Sequence, residues 1–123
     1  MAVNGIDVAG FEADGGVFAI GYVDGEPAMC GAFRRYKDAA EIKRMFVVPV
    51  FRGRGLGRRM LRFLEDEAAR RGFARAILET GKKQVEAIGL YASAGWQPIP
   101  PFGIYVDSPI STCFEKRLAG ARA

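Results

Sequence analysis

The sequence predicts an α+β fold: one mixed, mostly antiparallel twisted sheet with a central parallel strand pair and flanking helices. Two observations carry this prediction. Short β-branched and aromatic runs joined by tight turns come first, which is typical of antiparallel hairpins. Strand, helix and strand then follow between residues 41 and 80, which implies a parallel pair with a right-handed crossover. The length of 123 residues indicates a single domain, residues 1–123.

Three strands are predicted before the first helix. Residues 17–23 are rich in β-branched and aromatic side chains, and Asp24 and Gly25 behind them form a hairpin turn signal. Residues 27–36 are the return strand, and residues 41–48 are the third. Since neighbours in sequence are joined by short turns, these three strands are expected to pair antiparallel.

The second half of the chain alternates helices with strands. Residues 55–71 form the clearest helix, because apolar side chains recur on one face with helical spacing. The residues of that face are Leu56, Met60, Phe63, Leu64 and Ala68. A short buried strand at residues 76–80 and a second helix at residues 84–94 follow. Residues 98–103 are rich in proline and predict a rigid loop, and residues 111–118 predict the last strand.

Composition excludes several classes of function. The chain has no histidine, which rules out Ser-His-Asp and Cys-His centres and most transition-metal sites. The two cysteines, Cys30 and Cys113, are far apart in sequence, which predicts buried free thiols and neither a metal site nor a disulfide framework. Any general base is therefore a carboxylate, a tyrosine, a lysine, a terminal amine or a water relay.

Apolar runs are too short for a membrane span, and the first residues lack the basic and apolar regions of a signal peptide. We therefore expect a cytoplasmic protein without a membrane partner. The net charge is +4, and arginines concentrate around a glycine-rich segment. That charge would steer a polyanionic ligand, or nucleic acid, to the segment.

Residues 52–57 read Arg-Gly-Arg-Gly-Leu-Gly, between the third strand and the first helix. Backbone N–H groups at a helix start lack intrahelical partners and the helix dipole favours anions, so this order predicts a phosphate site. No lysine follows the glycines as a Walker loop requires, and an arginine at position 58 breaks the dinucleotide fingerprint. The spacing instead fits Arg/Gln-x-x-Gly-x-Gly/Ala, met by Arg52, Gly55 and Gly57.

This spacing resembles the pyrophosphate loop of the GNAT family of N-acetyltransferases, and the likeness extends from about Val17 to Leu118. The resemblance implies an enzyme that moves an acetyl group from acetyl-coenzyme A directly to a primary amine of a small molecule or peptide. In the family, the strand before the loop bulges, and its free amides hold pantetheine and the acetyl carbonyl. Many relatives carry an asparagine where this chain has Gln84. The cofactor-binding residues that the resemblance implies are Met45, Phe46, Val47, Arg52, Gly53, Arg54, Gly55, Leu56, Gly57, Arg58 and Gln84.

Glu41 and Tyr91 are the catalytic residues that the resemblance implies. The segment that begins at Glu41 resembles the histone-acetyltransferase branch, in which the matching glutamate is the general base. Glu41 precedes Met45 by four residues, so the two are expected to share one strand face. Residues 90–96 resemble the family segment whose tyrosine protonates the coenzyme A thiolate. The alternatives are that Glu79 is the base, that Glu41 forms a cross-strand charge pair, and that Tyr91 is a core residue.

Relatives in this family begin with a strand and two helices that form one wall of the acceptor pocket. Only sixteen residues precede residue 17, so the usual first strand and first two helices are expected to be absent. Uncovered apolar surface favours self-association, so we predict a homodimer whose partner supplies the missing wall. Phe102 and Tyr105 are candidates for lining the acceptor pocket, and simple packing is the alternative for both.

Two competing functions remain open from the sequence. The first is a non-catalytic coenzyme A-binding module that has lost its acceptor wall. The second is a basic nucleic-acid binder that uses the arginine-rich helix, although the chain lacks the interleaved aromatic platform of single-strand binders. We therefore predict no nucleic-acid partner. A metal is not predicted either, because the chain has no histidine.

Overall fold

The computed structural model describes residues 3–11 and 13–118. In this part of the chain seven strands form one sheet, and two α-helices are present. The strands are β1 (Val3–Phe11), β2 (Val17–Val23), β3 (Glu26–Tyr36), β4 (Ala39–Val47), β5 (Arg75–Gly81), β6 (Gln97–Ile99) and β7 (Ser111–Arg117). The helices are α1 (Leu56–Arg70) and α2 (Val85–Ser93), with 3-10 turns at Ala13–Gly15, Pro49–Phe51 and Gly103–Tyr105. No helix of the described segments is long and apolar enough to cross a membrane.

The sheet has the strand order β1-β2-β3-β4-β5-β7-β6. Only β4 and β5 pair in parallel, and each other described neighbour pair is antiparallel. This confirms the mixed, mostly antiparallel sheet with its central parallel pair. The turn at Asp24 and Gly25 is also confirmed: both residues have positive φ, 49° and 80°, as a two-residue hairpin turn requires.

The expectation that the first strand is absent is wrong, because residues 3–11 form β1 and pair antiparallel with β2. Its sequence hides the strand pattern: two register shifts, one beside Gly5 and one beside Gly10, interrupt the alternation of apolar and polar positions. Between β1 and β2, the described residues 13–16 hold one 3-10 turn and no α-helix.

The proline-rich segment after α2 is also more regular than predicted. Gln97–Ile99 forms the short strand β6, which pairs with β7 and lies at the edge of the described sheet. Pro98 lies in its middle, and an edge strand tolerates proline because its outer side needs no ladder hydrogen bond. The remaining residues, 100–110, form a long connection to β7.

Both α-helices pack on the same face of the sheet, which we call the helix face. The buried side of α1 includes the predicted Leu56, Met60, Leu64 and Ala68. Leu61 is buried in place of the half-buried Phe63, because the buried stripe is rotated toward α2. Trp96, directly after α2, donates its indole N–H to the carboxylate of Glu65 on α1 at 3.0 Å.

The opposite face of the sheet, which we call the loop face, is covered by residues 100–110. Phe102 of this connection packs its ring against Tyr36 of β3, with centroids 5.3 Å apart. Gly103 lies so close to Tyr36 that a Cβ would come within 3.3 Å of its ring. Loop-face positions alternate along β3 with helix-face positions, so Arg34 lies on the same face as Tyr36.

Glu67 on α1 should make the free energy of unfolding depend on pH. Its carboxylate is only 6% exposed and accepts hydrogen bonds from Arg70 at 2.6 Å and Arg71 at 3.0 Å. Burial raises the pKa of this carboxyl, but the hydrogen bonds and charges of the two arginines outweigh burial and set the pKa below its usual value. A lowered folded pKa contributes stability above the unfolded pKa of about 4.3, and this is lost as the pH falls through the folded pKa.

Glu67→Gln is therefore expected to reduce the free energy of unfolding at neutral pH by about 1 kcal/mol. The difference from the unchanged protein should shrink as the pH falls below about 4, because the native carboxylate is then being protonated. Urea unfolding of both proteins at neutral pH and in acid checks this. An equal difference at both pH values would show that the negative charge of Glu67 does not cause the effect.

Candidate active site

A cleft opens in the middle of the sheet, where β4 and β5 separate. The two strands pair only at Ala40 with Ala76 and at Glu41 with Ile77. Beyond these pairs the strands diverge, and a cavity of about 410 Å³ lies between them and α2. Its lining includes Lys43, Met45, Glu79, Gln84 and Tyr91. This cleft therefore brings together the strand predicted to bind the cofactor, the alternative base Glu79 and the predicted Tyr91.

A β-bulge turns β4 away at this point. Cys30 pairs with Phe46 and Ala32 with Lys43, so residues 44 and 45 together oppose Gly31. Arg44 has a left-handed φ of 59°, which is uncommon for a residue other than glycine and marks the bulge. Bulges leave backbone groups unpaired beside functional sites. The bulge expected from the resemblance is thus present, directly before Phe46 and Val47.

The expectation that Glu41 and Met45 share a strand face is wrong, because the bulge inserts one residue between them. A Cβ on Gly31 would meet Met45 together with two residues of α1, so Met45 lies on the helix face. Glu41 contacts Arg34 and Lys43 and lies on the loop face. The carboxylate therefore lies on the side of the sheet away from the helices.

The glycine-rich loop lines a second cavity, of about 490 Å³, which shares Met45 with the first. Gly55 is the N-cap of α1 and has a left-handed φ of 79°. No side chain caps this helix start. Within the described residues, the backbone N–H groups of residues 53–58 meet no protein acceptor. A row of free donors at a helix N-terminus suits a phosphate group.

The arginines of the loop are already engaged by the protein in different ways. Arg52 donates its backbone N–H to Pro49 at 3.1 Å and its Nε–H to the carbonyl of Val47 at 2.8 Å, which fixes the loop to β4. Arg58 donates from Nη2 to the hydroxyl of Ser93 at 2.6 Å, which ties the first turn of α1 to α2. Arg54 is exposed.

Glu41 lies in a buried ion pair beside the cleft. It is 2% exposed and accepts a hydrogen bond from Arg34 Nε at 3.0 Å, while Lys43 Nζ lies 3.7 Å from its other oxygen. The cross-strand charge pair left open by the sequence is thus present. The pair is buried beside the point where the strands diverge, unlike an exposed surface pair.

Glu79 lies on the loop face of β5, near the point where the strands diverge. Its Oε2 accepts a hydrogen bond from the Ser111 hydroxyl at 2.7 Å. Its Oε1 has no protein donor among the described residues. The two candidate bases therefore lie on the same side of the cleft and differ in how many of their oxygens are engaged.

Tyr91 of α2 reaches the cleft from the helix face. It is 7% exposed, packs against Trp96 and Phe114, and lines the cavity between the strands. Burial, and to a smaller extent the charge of Glu79, raise the pKa of Tyr91, so the phenol stays protonated. The residue is thus both a core tyrosine and a cleft residue. Gln84, at the start of α2, is exposed and lines the same cavity.

Sequence reasoning missed the cations around Glu41. The hairpin between β3 and β4 has a two-residue turn, and its register pairs Tyr36 with Ala39 and Arg34 with Glu41. Counting outward from that turn would have placed the arginine opposite the glutamate. Of the cysteines, Cys113 is buried as predicted, while Cys30 is half-buried; both are free thiols.

Comparison with known proteins agrees with this geometry. The family model described as Acetyltransferase (GNAT) family matches residues 6–96. The IAA acetyltransferase of Azospirillum brasilense is 40% identical over 103 residues, which cover 82% of this chain and 67% of that enzyme. This chain therefore spans about two thirds of that relative's length.

Solved structures share the fold. A Klebsiella pneumoniae protein assigned to the acyl-CoA N-acyltransferases is 34% identical and superposes with a TM-score of 0.79, over 84% of this chain and 72% of that one. A GNAT acetyltransferase from Elizabethkingia anophelis, solved with acetyl-CoA bound, is 16% identical with a TM-score of 0.74, over 84% and 76% of the two chains. The chain belongs to the GNAT acetyltransferase family.

Proposed function

We propose that this protein transfers an acetyl group from acetyl-coenzyme A to a primary amine. The observation that carries the proposal is the adjacency of the two cavities, which share Met45: one lies at the free N–H groups that start α1, and the other at the point where β4 and β5 diverge. A long cofactor with a phosphate end and a thioester end fits this arrangement. Family membership and the acetyl-CoA bound by the Elizabethkingia neighbour support the same cofactor.

The residues that would hold the cofactor follow from this geometry. The N–H groups of residues 53–58 would receive the pyrophosphate, because they form a cluster of donors at a helix start. Met45, Phe46 and Val47, next to the bulge, would offer backbone groups to the pantetheine arm. Gln84 would add an amide contact from the other side of the cleft.

The side chains beside the point where β4 and β5 diverge would carry the proton transfers. An amine with an ordinary pKa near ~10 has to lose a proton before it attacks the thioester carbon. We propose that Glu41 receives this proton, directly or through water, with Glu79 as the alternative acceptor. As the bond from carbon to sulfur breaks, the Tyr91 hydroxyl, on the other side of the cleft, would deliver a proton to the sulfur.

A screen of amines with acetyl-coenzyme A tests this function. Thiol release that requires both an amine and Glu41 supports the transferase. The second candidate, a coenzyme A-binding module without catalysis, is favoured by the engagement of both Glu41 oxygens by cations. Calorimetric binding of coenzyme A without thiol release from any amine would support that module instead.

Tyr91→Phe is expected to lower the turnover number by about 100-fold or more while the dissociation constant for coenzyme A changes little. The substitution removes one hydroxyl and keeps the ring that packs against Phe114. Steady-state kinetics and calorimetry on the same preparations check both parts. Unchanged turnover would remove the tyrosine from the chemistry and leave it a core residue.

We also propose that the protein acts as a homodimer. Both described α-helices lie on the helix face, and the connection of residues 100–110 packs on the loop face. That connection exposes Ile104, Val106 and Ile110, with Ile104 84% exposed, and exposed apolar groups of this kind favour association. Sedimentation velocity should show a dimer at micromolar concentration, and a folded monomer at that concentration would contradict the proposal.

A further inference from the structure

Cationic side chains lie beside Glu41 at the bulge. Arg34 and Lys43 contact its carboxylate, and together with Arg44 they line one small recess there. The side chain of Arg34 is 51% exposed, whereas that of Glu41 is 3% exposed. An acceptor that approaches from the loop face therefore meets the guanidinium before it meets the carboxylate.

Arg34 has hydrogen-bonding capacity left over. It uses Nε for Glu41, and its two terminal amino groups find no acceptor within the described residues. A guanidinium presents its donors in a planar fork that suits a carboxylate, with two nearly parallel hydrogen bonds. The pair of Arg34 and Glu41 thus offers an anion site and an amine site side by side.

Aromatic rings border this pair on the same face. Tyr36 lies two residues beyond Arg34 on β3, and its ring contacts Phe102, which packs edge-on against Tyr105 at 5.5 Å. Burial, followed by the charges of Glu41 and Glu79, raises the pKa of Tyr105. The border is apolar and aromatic, which suits a hydrophobic side chain.

We propose that the acceptor is a free α-amino acid with an aromatic or large apolar side chain. Its amine and carboxylate are attached to one carbon, so the two groups match the adjacent Glu41 and Arg34, with Lys43 adding positive charge. The side chain lies against Tyr36, Phe102 and Tyr105. This proposal rests on the acetyl transfer proposed above and narrows its substrate class.

Matched acceptors test the proposal by thiol release from acetyl-coenzyme A. Phenylalanine carries all three features, phenylalanine amide and phenethylamine lack the carboxylate, and glycine lacks the ring. For the unchanged protein, kcat/KM for phenylalanine should exceed that of each other acceptor about 10-fold or more. In Arg34→Gln, the preference for phenylalanine over its amide should fall to about unity, since the variant cannot form the charged fork.

Two further variants separate recognition from a structural effect. Arg34→Lys keeps the charge without the fork and should restore part of the preference, mainly through KM. Arg62→Gln removes an exposed arginine of α1 on the helix face and should leave the preference unchanged. Because each preference is a ratio measured on one protein, a general loss of folded enzyme cancels.

The outcomes distinguish the two proposals. If the amide and phenethylamine are acetylated as well as phenylalanine, or if Arg34→Gln keeps the preference, the acceptor class is wrong and the transferase stands. If glycine equals phenylalanine, the aromatic border plays no part and the proposed class is wrong. If coenzyme A binds and no amine is acetylated, the transferase itself is wrong, and the acceptor class falls with it.

Discussion

Gly55→Val is expected to abolish tight coenzyme A binding while the protein remains folded. Gly55 has a φ of 79°, a conformation that a β-branched residue adopts only with strain, so the substitution should change the direction of the N–H groups of the loop. Apart from its two chain neighbours, none of the described residues has an atom within 4 Å of the position that a Cβ would take. The effect therefore comes from backbone strain and from the side chain's obstruction of a phosphate, and not from a clash with the core.

The expected loss is about 100-fold or more in the dissociation constant, as if two or more charge-assisted hydrogen bonds were removed. Calorimetric titration with coenzyme A measures it. Gly25→Val is a matched control, because Gly25 has a φ of 80° and equally open surroundings but lies in the hairpin turn between β2 and β3. That control should lose some stability and keep its affinity. Equal affinity in the Gly55 variant would show that the loop is not the phosphate site.

The parts of the fold that local chemistry determines were predictable from the sequence. A strand, a glycine-rich loop and an amphipathic helix follow one another between residues 45 and 70. The residue spacing that identifies each of them does not depend on how the strands pair. The strand–helix–strand unit implied the parallel pair for the same reason. The candidate residues from the bulged strand to Tyr91 therefore lie on the elements predicted for them.

The parts that depend on pairing between strands were not predictable in the same way. Gly5 and Gly10 interrupt the alternation of apolar and polar residues in β1, so this strand is recognised from its pairing with β2. The bulge at Arg44 leaves no mark in the spacing of Glu41 and Met45, yet it places these two residues on opposite faces. The partners of Glu41 come from two strand positions that only the hairpin register brings together. The sheet face on which a residue lies, and the ion pairs that it forms at this site, are thus determined by tertiary structure.

Glu41→Gln is expected to lower the turnover number by about 10²- to 10⁴-fold, the usual effect of a lost general base, with coenzyme A affinity retained. The amide keeps the size of the carboxylate but cannot take up the proton of the amine. It also leaves Arg34 and Lys43 without their partner. Thermal unfolding must therefore accompany the kinetics, since loss of one member of a buried ion pair is destabilising.

Glu79→Gln is the matched comparison, because Glu79 lies on the same face and Ser111 can hydrogen-bond its replacement as well. If Glu41 is the base, this second variant should retain most of its turnover. The opposite ranking would assign the proton to Glu79 and leave Glu41 the task of holding Arg34 in place for the acceptor. In that case Glu41→Gln should raise the KM for an amino acid more than it lowers turnover, because the guanidinium would lose its anchor. The kcat and KM of the two variants thus decide between proton transfer and acceptor positioning for the same buried carboxylate.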